Sequence, residues 1–459
     1  MAYFKKDTVI IGAGLTGLTS AFYLNKRNRS FFVLEKADHV GGVIRTRMNG
    51  DFMYEEGPNT GIIGTPDIAS LFEDIKENCR IIEANNSVSK RYILKNKQWH
   101  SLPSGPLGGI TTPLFSLKDK FSLLCEPFRK PGSDPDESLA GLVVRRMGKS
   151  FLDYAIDPFI LGVYAGDPAY LVTKYAFPKL YNLEQNYGSF IGGAIKKKFE
   201  KKPVHEKKVT RKVFSTEKGL GGLTDTLYKL AGTNNFLLEC QDIGVTADGK
   251  ERYRITFRHN NREHIVYAKH VITTVPAYEL KHILNFQEKD LLEKVSTVRY
   301  APVVQVALGF RKWQGQPLDA FGGLIPFKEN IPLLGILFMS SLFSGRAPSG
   351  GAMLSVFMGG IRNPDMVNKT DAEITSVLEK ILPSLLKTEG FNPDFMKIMR
   401  YRNAIPQYGI DSKDRFNATE KLSDIYPGLY IGGNLRDGIG MADRVKQGKY
   451  FADATNIKT

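Results

Sequence analysis

At 459 residues the chain is too long for one small core, and at about 150 residues per unit it is expected to fold as roughly three lobes. Hydrophobic residues at 42% and charged residues at 24% exclude a chain that is disordered or fibrous throughout. The balance of 63 basic against 48 acidic residues leaves +15, a bias toward anionic partners, and charge-free stretches are short or broken by Gly and Pro, which excludes a spanning helix.

Residues 1–7 lead straight into an apolar strand pattern without a secretion signal, so a cytoplasmic protein is expected. Residues 8–11 read as a strand, a Gly-rich turn follows, a helical pattern runs through Leu24, and residues 31–34 form a second strand. Residues 101–113, rich in Gly, Pro, Ser and Thr, read as a linker. A mainly helical stretch then runs to about Lys202 and ends in a basic run, residues 196–212, with nine Lys or Arg against two Glu, a net of 9 − 2 = +7. That run reads as a solvated face or a membrane-surface contact. Period-two strand patterns return after Lys207 and continue to about Met358, followed by a helix over residues 371–386 and a closing strand, loop and helix. Cys79, Cys125 and Cys240 lack CxxC spacing and read as buried thiols, and the seven histidines show no metal-ligand spacing.

The chemistry starts at the first turn. Gly12, Gly14 and Gly17 form GxGxxG between strand and helix, where the three glycines serve in order a tight turn, close approach to a pyrophosphate, and helix-strand packing. Glu35 ends the second strand, placed to accept hydrogen bonds from ribose hydroxyls. The unit alone leaves FAD and NAD both open. Gly41 and Gly42 follow with backbone room beside a cofactor, Arg45 is placed to counter pyrophosphate charge, and near the other end "GLYIGGNLRDGIGMADRVKQG" gives a strand, then Gly432, Gly433 and Asn434, then a helix opening near Met441. A helix N-terminus aimed at a flavin pyrimidine edge stabilises the negative charge that develops there on reduction.

These two segments resemble the FAD-binding amine-oxidase superfamily. The inner blocks "GVYAGDPAYLVTKYAFPKLYNLEQNYGSFIGG", "YAPVVQVALGF", "SSLFSGRAPSGGAMLSVFMGG" and "RYRNAIPQYGI" are similar to the oxygen-dependent protoporphyrinogen and coproporphyrinogen oxidases, over residues 8–454. The resemblance implies an α/β fold: a Rossmann-like FAD-binding domain, a mixed-sheet substrate domain and a helical membrane-contacting insertion. The implied division is FAD-binding segments at 1–90, 205–280 and 411–459, substrate-domain segments at 91–115 and 281–410, and the insertion at 116–204. It implies non-covalent FAD, a tetrapyrrole substrate and O2 as acceptor with H2O2 released. Arg91 is the implied propionate anchor, Leu324 and Phe338 the implied apolar walls, and Gly57, Pro58 and Asn59 a "GPN" segment with Asn59 near the ring or substrate. Ile243 is implied to lie on the strand that contacts the adenine. No catalytic side chain or metal is implied, because flavin N5 carries the hydride chemistry.

Protoporphyrinogen IX is the expected substrate, with coproporphyrinogen III as the alternative; an amine oxidase, a carotenoid-type desaturase and a flavin-bearing binding protein without turnover are the rivals. Peripheral contact with the inner face of an anionic membrane is expected of the insertion, nucleic acid is not an expected partner, and a homodimer is left open. Asp437 and Met441 stand where family members commonly have Gly and Val, and a carboxylate at 437 would oppose a reduced flavin unless it pairs with Arg436 or Arg444.

Overall fold

The computed structural model describes residues 2–103, 108, 111–200, 209–249 and 252–455. Part of the basic run and part of the 101–113 linker lie outside the described residues.

The nucleotide-type sheet has seven strands. The Ala2–Ile11 strand sits between Phe31–Leu34 and Arg262–Thr273, both parallel to it, and Leu429–Ile431 adds a further parallel strand on Arg262–Thr273. The first strand begins earlier than the apolar pattern predicts, because residues 2–6 continue the pairing along residues 264–268. Its side chains alternate between two cores. Ile10, Val33 and Ile272 face the Leu15–Lys26 and Met441–Ala454 helices, whereas Val9, Ile11, Leu34 and Val271 share a core with residues of the 241–259 strands and of the Ala277–Ile283, Lys289–Ser296 and Ser412–Ile425 helices. A strand buried on both faces thus reads as an unbroken apolar run.

The second sheet is mixed and runs Phe395–Pro406, Tyr300–Phe310, Ala352–Gly359, Gly335–Phe338, Gly322–Leu324, Arg91–Lys95, Gln98–Ser101. One face is closed by the Asp371–Leu386 helix, which starts where its capping box (Thr370 and Glu373) dictates and buries Ile374, Leu378 and Leu382. The period-two reading misses the Phe395–Pro406 strand, since five of its twelve residues are exposed on a sheet edge and the sequence there mixes Lys and Arg with Met and Tyr.

Between the first and second strands of this sheet and its later ones, residues 117–199 form the predicted helical stretch. Its centre is polar. Arg146 and Glu126 are fully buried and paired, and Glu126 also accepts from Ser189 Oγ and the Phe190 and Ile191 N–H groups, which caps the Phe190–Phe199 helix. No helix among the described residues is long and apolar enough to cross a membrane. Cys79 and Cys240 are buried as expected; Cys125 is exposed, because it caps the Leu117–Leu124 helix, none of whose residues is buried.

Candidate active site

The Gly-rich turn is built for close approach. Gly12 has φ +100°, and a Cβ at Gly17 would lie 2.0 Å from the Gly12 carbonyl oxygen, so both positions exclude side chains. A Cβ at Gly14 would meet nothing within 4 Å: this glycine borders open space. The Leu15–Lys26 helix begins there with no side-chain cap and no acidic residue in its first turn, which leaves its N-terminal N–H groups for an outside anion. Gly41 donates to the Ala13 carbonyl at 2.8 Å and Gly42 lies against Gly14, so the second glycine pair folds over the first turn. Glu35 stands beside it, its carboxylate accepting from the Ala13 N–H at 2.6 Å and the Ala37 N–H at 2.8 Å. Cys240 N–H donates to the Glu35 carbonyl, which brings the strand holding Ile243 to the same end. Arg45, half-buried, lies 3.7 Å from Glu56.

The C-terminal segment comes to this turn through Thr274, whose hydroxyl donates to the carbonyls of Ile11 and Gly12 while a Gly433 Cβ would sit 3.1 Å from the Thr274 oxygen. The two terminal helices also touch: Ser20 Oγ donates to the Gly448 carbonyl at 3.0 Å. Asp437 takes the compensated course. It accepts from Gln447 Nε2 at 2.7 Å and lies 3.2 Å from Arg436, whereas Arg444 is buried and donates to the carbonyls of Gly433, Arg436 and Gly438. Asn434 contributes its carbonyl to Tyr408 Oη at 2.8 Å, and the Met441 side chain is buried in the core beneath the first helix.

The "GPN" segment follows the Phe52–Glu56 strand and is held by the second sheet. Gln305 donates to the Glu55 carbonyl at 2.8 Å and accepts from the Gly57 N–H at 3.1 Å; Ser355 Oγ donates to Asn59 Oδ1 at 2.6 Å. Beneath it, Glu55 is fully buried against Arg346 at 3.1 Å; burial raises its carboxyl, and Arg346 and Thr46 oppose the shift. Tyr401 lies on the same sheet face, and burial pushes its hydroxyl up to about 12, so it stays a neutral donor.

Strand register decides which predicted residues share this face. Arg91 pairs with Gly322 and Ile93 with Leu324; Leu324 pairs with Gly335, which pairs with Phe357, which pairs with Gln305. Arg91, Leu324, Phe357 and Gln305 therefore share one face of the sheet, the face on which Ser355 meets Asn59. Phe338 does not. It pairs with Leu354 and is fully buried against the Asp371–Leu386 helix, so the predicted wall residue belongs to the opposite core; Leu337, paired with Ser355, occupies the site face. Period-two alternation across the Leu324 and Gly335 pairing could have assigned Leu337 from sequence, but that needs the register. Leu324, Leu337 and Phe357 are each half-buried. Leu324 packs in one cluster with Ile160 and Tyr164 of the helical stretch and with Ile439 of the C-terminal loop, which joins three parts of the chain in one apolar contact.

The family model of flavin containing amine oxidoreductases matches residues 15–454. The chain belongs to this family. Among curated relatives of this flavin oxidoreductase, the chloroplastic/mitochondrial protoporphyrinogen oxidase 2 of Arabidopsis thaliana is 30% identical, over 98% of this chain and 93% of the relative. The coproporphyrinogen III oxidase of Bacillus subtilis (strain 168) is 27% identical, over 97% of each. A crystal structure from Exiguobacterium sp. 255-15, provisionally named a protoporphyrinogen oxidase, shares the fold with a TM-score of 0.81 at 22% identity and 98% coverage of both chains. FAD is the cofactor of this oxidoreductase, and the residues fit it: an uncapped helix N-terminus, a glycine facing open space, and a carboxylate fixed at the end of the second strand.

Proposed function

We propose that this FAD-dependent oxidoreductase converts a porphyrinogen to a porphyrin for haem synthesis, with protoporphyrinogen IX as the preferred substrate. The observation that carries the reading is one sheet face bearing a cation at its rim and apolar side chains within. Arg91 is exposed, its guanidinium lies 5.1 Å from the Phe321 ring, and it has no carboxylate partner among the described residues. A planar guanidinium suits a propionate, and Leu324, Leu337 and Phe357 suit the tetrapyrrole macrocycle. FAD supplies the hydride acceptor, and O2 takes the electrons as H2O2, three O2 for each porphyrinogen. The protein orients a methylene bridge, excludes water with the apolar cluster that includes Leu324 and Ile439, and offers neutral donors at Asn59 and Tyr401.

Lys95, on the same face of the Arg91–Lys95 strand, is engaged by the carbonyls of Pro113 and Leu114, which favours a substrate with two propionates over one with four. Coproporphyrinogen III is the second reading, favoured by the Bacillus subtilis relative. Porphyrin fluorescence with the two substrates side by side decides between them. Arg91→Ala is expected to raise KM about tenfold or more with kcat less affected. Equal kcat/KM in that variant removes the anchor, and no porphyrin from either substrate removes the function.

The proposed domain division has FAD-binding segments at 1–90, 205–280 and 411–459, substrate-domain segments at 91–115 and 281–410, and an insertion at 116–204. That insertion is proposed to rest on the anionic inner face of a cytoplasmic membrane. Leu117, Phe121 and Leu124, at helical spacing, are 70–81% exposed, Phe128 is 89% exposed, and the Phe190–Phe199 helix exposes Ile195 and Phe199 beside Lys196, Lys197 and Lys198. Apolar side chains flanked by lysines suit a headgroup boundary. Flotation with phosphatidylserine vesicles is expected to carry the protein up, and Phe121→Ser with Leu124→Ser to leave it in the pellet fraction; flotation equal in both refutes the contact.

A further inference from the structure

The Asn59 amide has only one workable orientation. Its Nδ2 donates to the Gly57 carbonyl at 3.0 Å and its Oδ1 accepts from Ser355 Oγ at 2.6 Å. Turning the amide over would set Oδ1 against the Gly57 carbonyl, two acceptors face to face, while a serine hydroxyl would accept either arrangement. Gly57 therefore sets the direction of the amide and Ser355 locks it. Gly57 is itself held, since its N–H is taken by Gln305 and its φ of +89° with a Cβ position 2.1 Å from the Val43 carbonyl keeps it glycine. Asn59, Ser355 and Gln305 are all at least nine-tenths buried. Among the described residues, the second Nδ2 hydrogen of Asn59 has no partner.

From this network we infer that Ser355 is a positioning residue: through its hydroxyl it holds the Asn59 amide so that one buried N–H donor is presented to the isoalloxazine or to the substrate lying on it. The inference rests on the porphyrinogen-oxidising reading only for the nature of the substrate. A donor fixed in advance costs no reorganisation when negative charge develops on its acceptor, whereas an amide free to rotate is turned away for part of the time. Ser355 lies on the Ala352–Gly359 strand of the substrate sheet and Asn59 in the FAD-binding part of the chain, so the hydroxyl also makes the donor depend on how the two parts sit together. Ser355 touches neither reacting group and acts only through Asn59.

The test uses FAD-loaded protein as Ser355→Ala, Ser355→Thr, Asn59→Ala and the double variant of the two alanines. Ser355→Ala is expected to lower kcat about tenfold with KM changed less than about twofold, to shift the visible flavin absorption, and to lower the flavin two-electron potential. Ser355→Thr, which keeps the hydroxyl, is expected to restore all three. The double variant is expected to match Asn59→Ala alone, since the hydroxyl has no other route to the site. Wild-type potential and absorption in Ser355→Ala, or additive losses in the double variant, would overturn the inference. If Ser355→Ala loads no FAD, Ser355→Cys, a weaker donor of similar size, gives the same readouts. Absorption and potential are read without porphyrinogen, so a wild-type protein that forms no porphyrin but shows the coupled shifts sinks the function and spares the positioning.

Discussion

A single methyl group at position 448 tests the contact on which the cofactor site depends. The Met441–Ala454 helix crosses the Leu15–Lys26 helix at Gly448, where an added Cβ would lie 2.5 Å from the Thr16 carbonyl oxygen and 2.8 Å from Thr19 Cβ. The first distance is about 0.9 Å short of the 3.4 Å at which ordinary contact begins, and the obstacle is backbone, so Gly448→Ala must move one helix against the other. Overpacking of this kind costs about 1–3 kcal/mol, and alanine in place of glycine inside a helix returns about 1 kcal/mol. The net loss of about 1 kcal/mol lowers Tm by roughly 1 °C for a chain of 459 residues. The effect on cofactor is larger. Both helices begin at the proposed FAD site, and displacing one N-terminus by nearly an ångström lengthens the hydrogen bonds it offers; losing one such bond to a charged group is worth about 1.5–3 kcal/mol, or about ten- to a hundredfold in Kd. Titration of apoprotein with FAD by flavin fluorescence quenching, alongside a melting curve, reads both. Wild-type Kd with wild-type Tm in Gly448→Ala would refute the close crossing, and a lowered Tm with unchanged Kd would refute its link to the cofactor.

Two further outcomes follow from side-chain placement. Phe338→Ala should cost about 3–5 kcal/mol in denaturant unfolding and leave the KM of the folded enzyme unchanged, whereas Leu337→Ala should cost less stability and raise KM; the reverse pattern would restore Phe338 to the substrate wall. For Glu126, burial acts to raise the carboxyl, but hydrogen bonds from Phe190 N–H, Ser189 and Ile191 N–H, with Arg146, outweigh it and hold the native pKa below the ordinary 4.5. A depressed native pKa adds stability that is complete above the unfolded value and lost as pH falls from about 4.5 through the native value, so urea midpoints of the wild type should drop across that range and those of Glu126→Gln should drop less. Parallel pH profiles of the two proteins would count against a depressed Glu126 carboxyl.

The turns of the proposed cofactor site were legible in sequence because their geometry is local: GxGxxG, Glu35 and the Gly432–Gly433 turn each need particular residues at fixed spacing for backbone conformation and close approach. The Asp371–Leu386 helix was legible for the same reason, as a capping box and an apolar stripe carry their own boundaries. The substrate half was decided by tertiary structure. Residues 337 and 338 are both apolar, and only the antiparallel register with Leu324 and Phe357 puts Leu337 on the site face of the sheet, since a shift of one residue turns a strand inside out. Pairing of Ser355 with an asparagine 296 residues away likewise depended on which distant backbones the two sheets bring together. Spacing along a chain encodes turns and caps; the contacts between strands that complete a site exist only after the chain has folded.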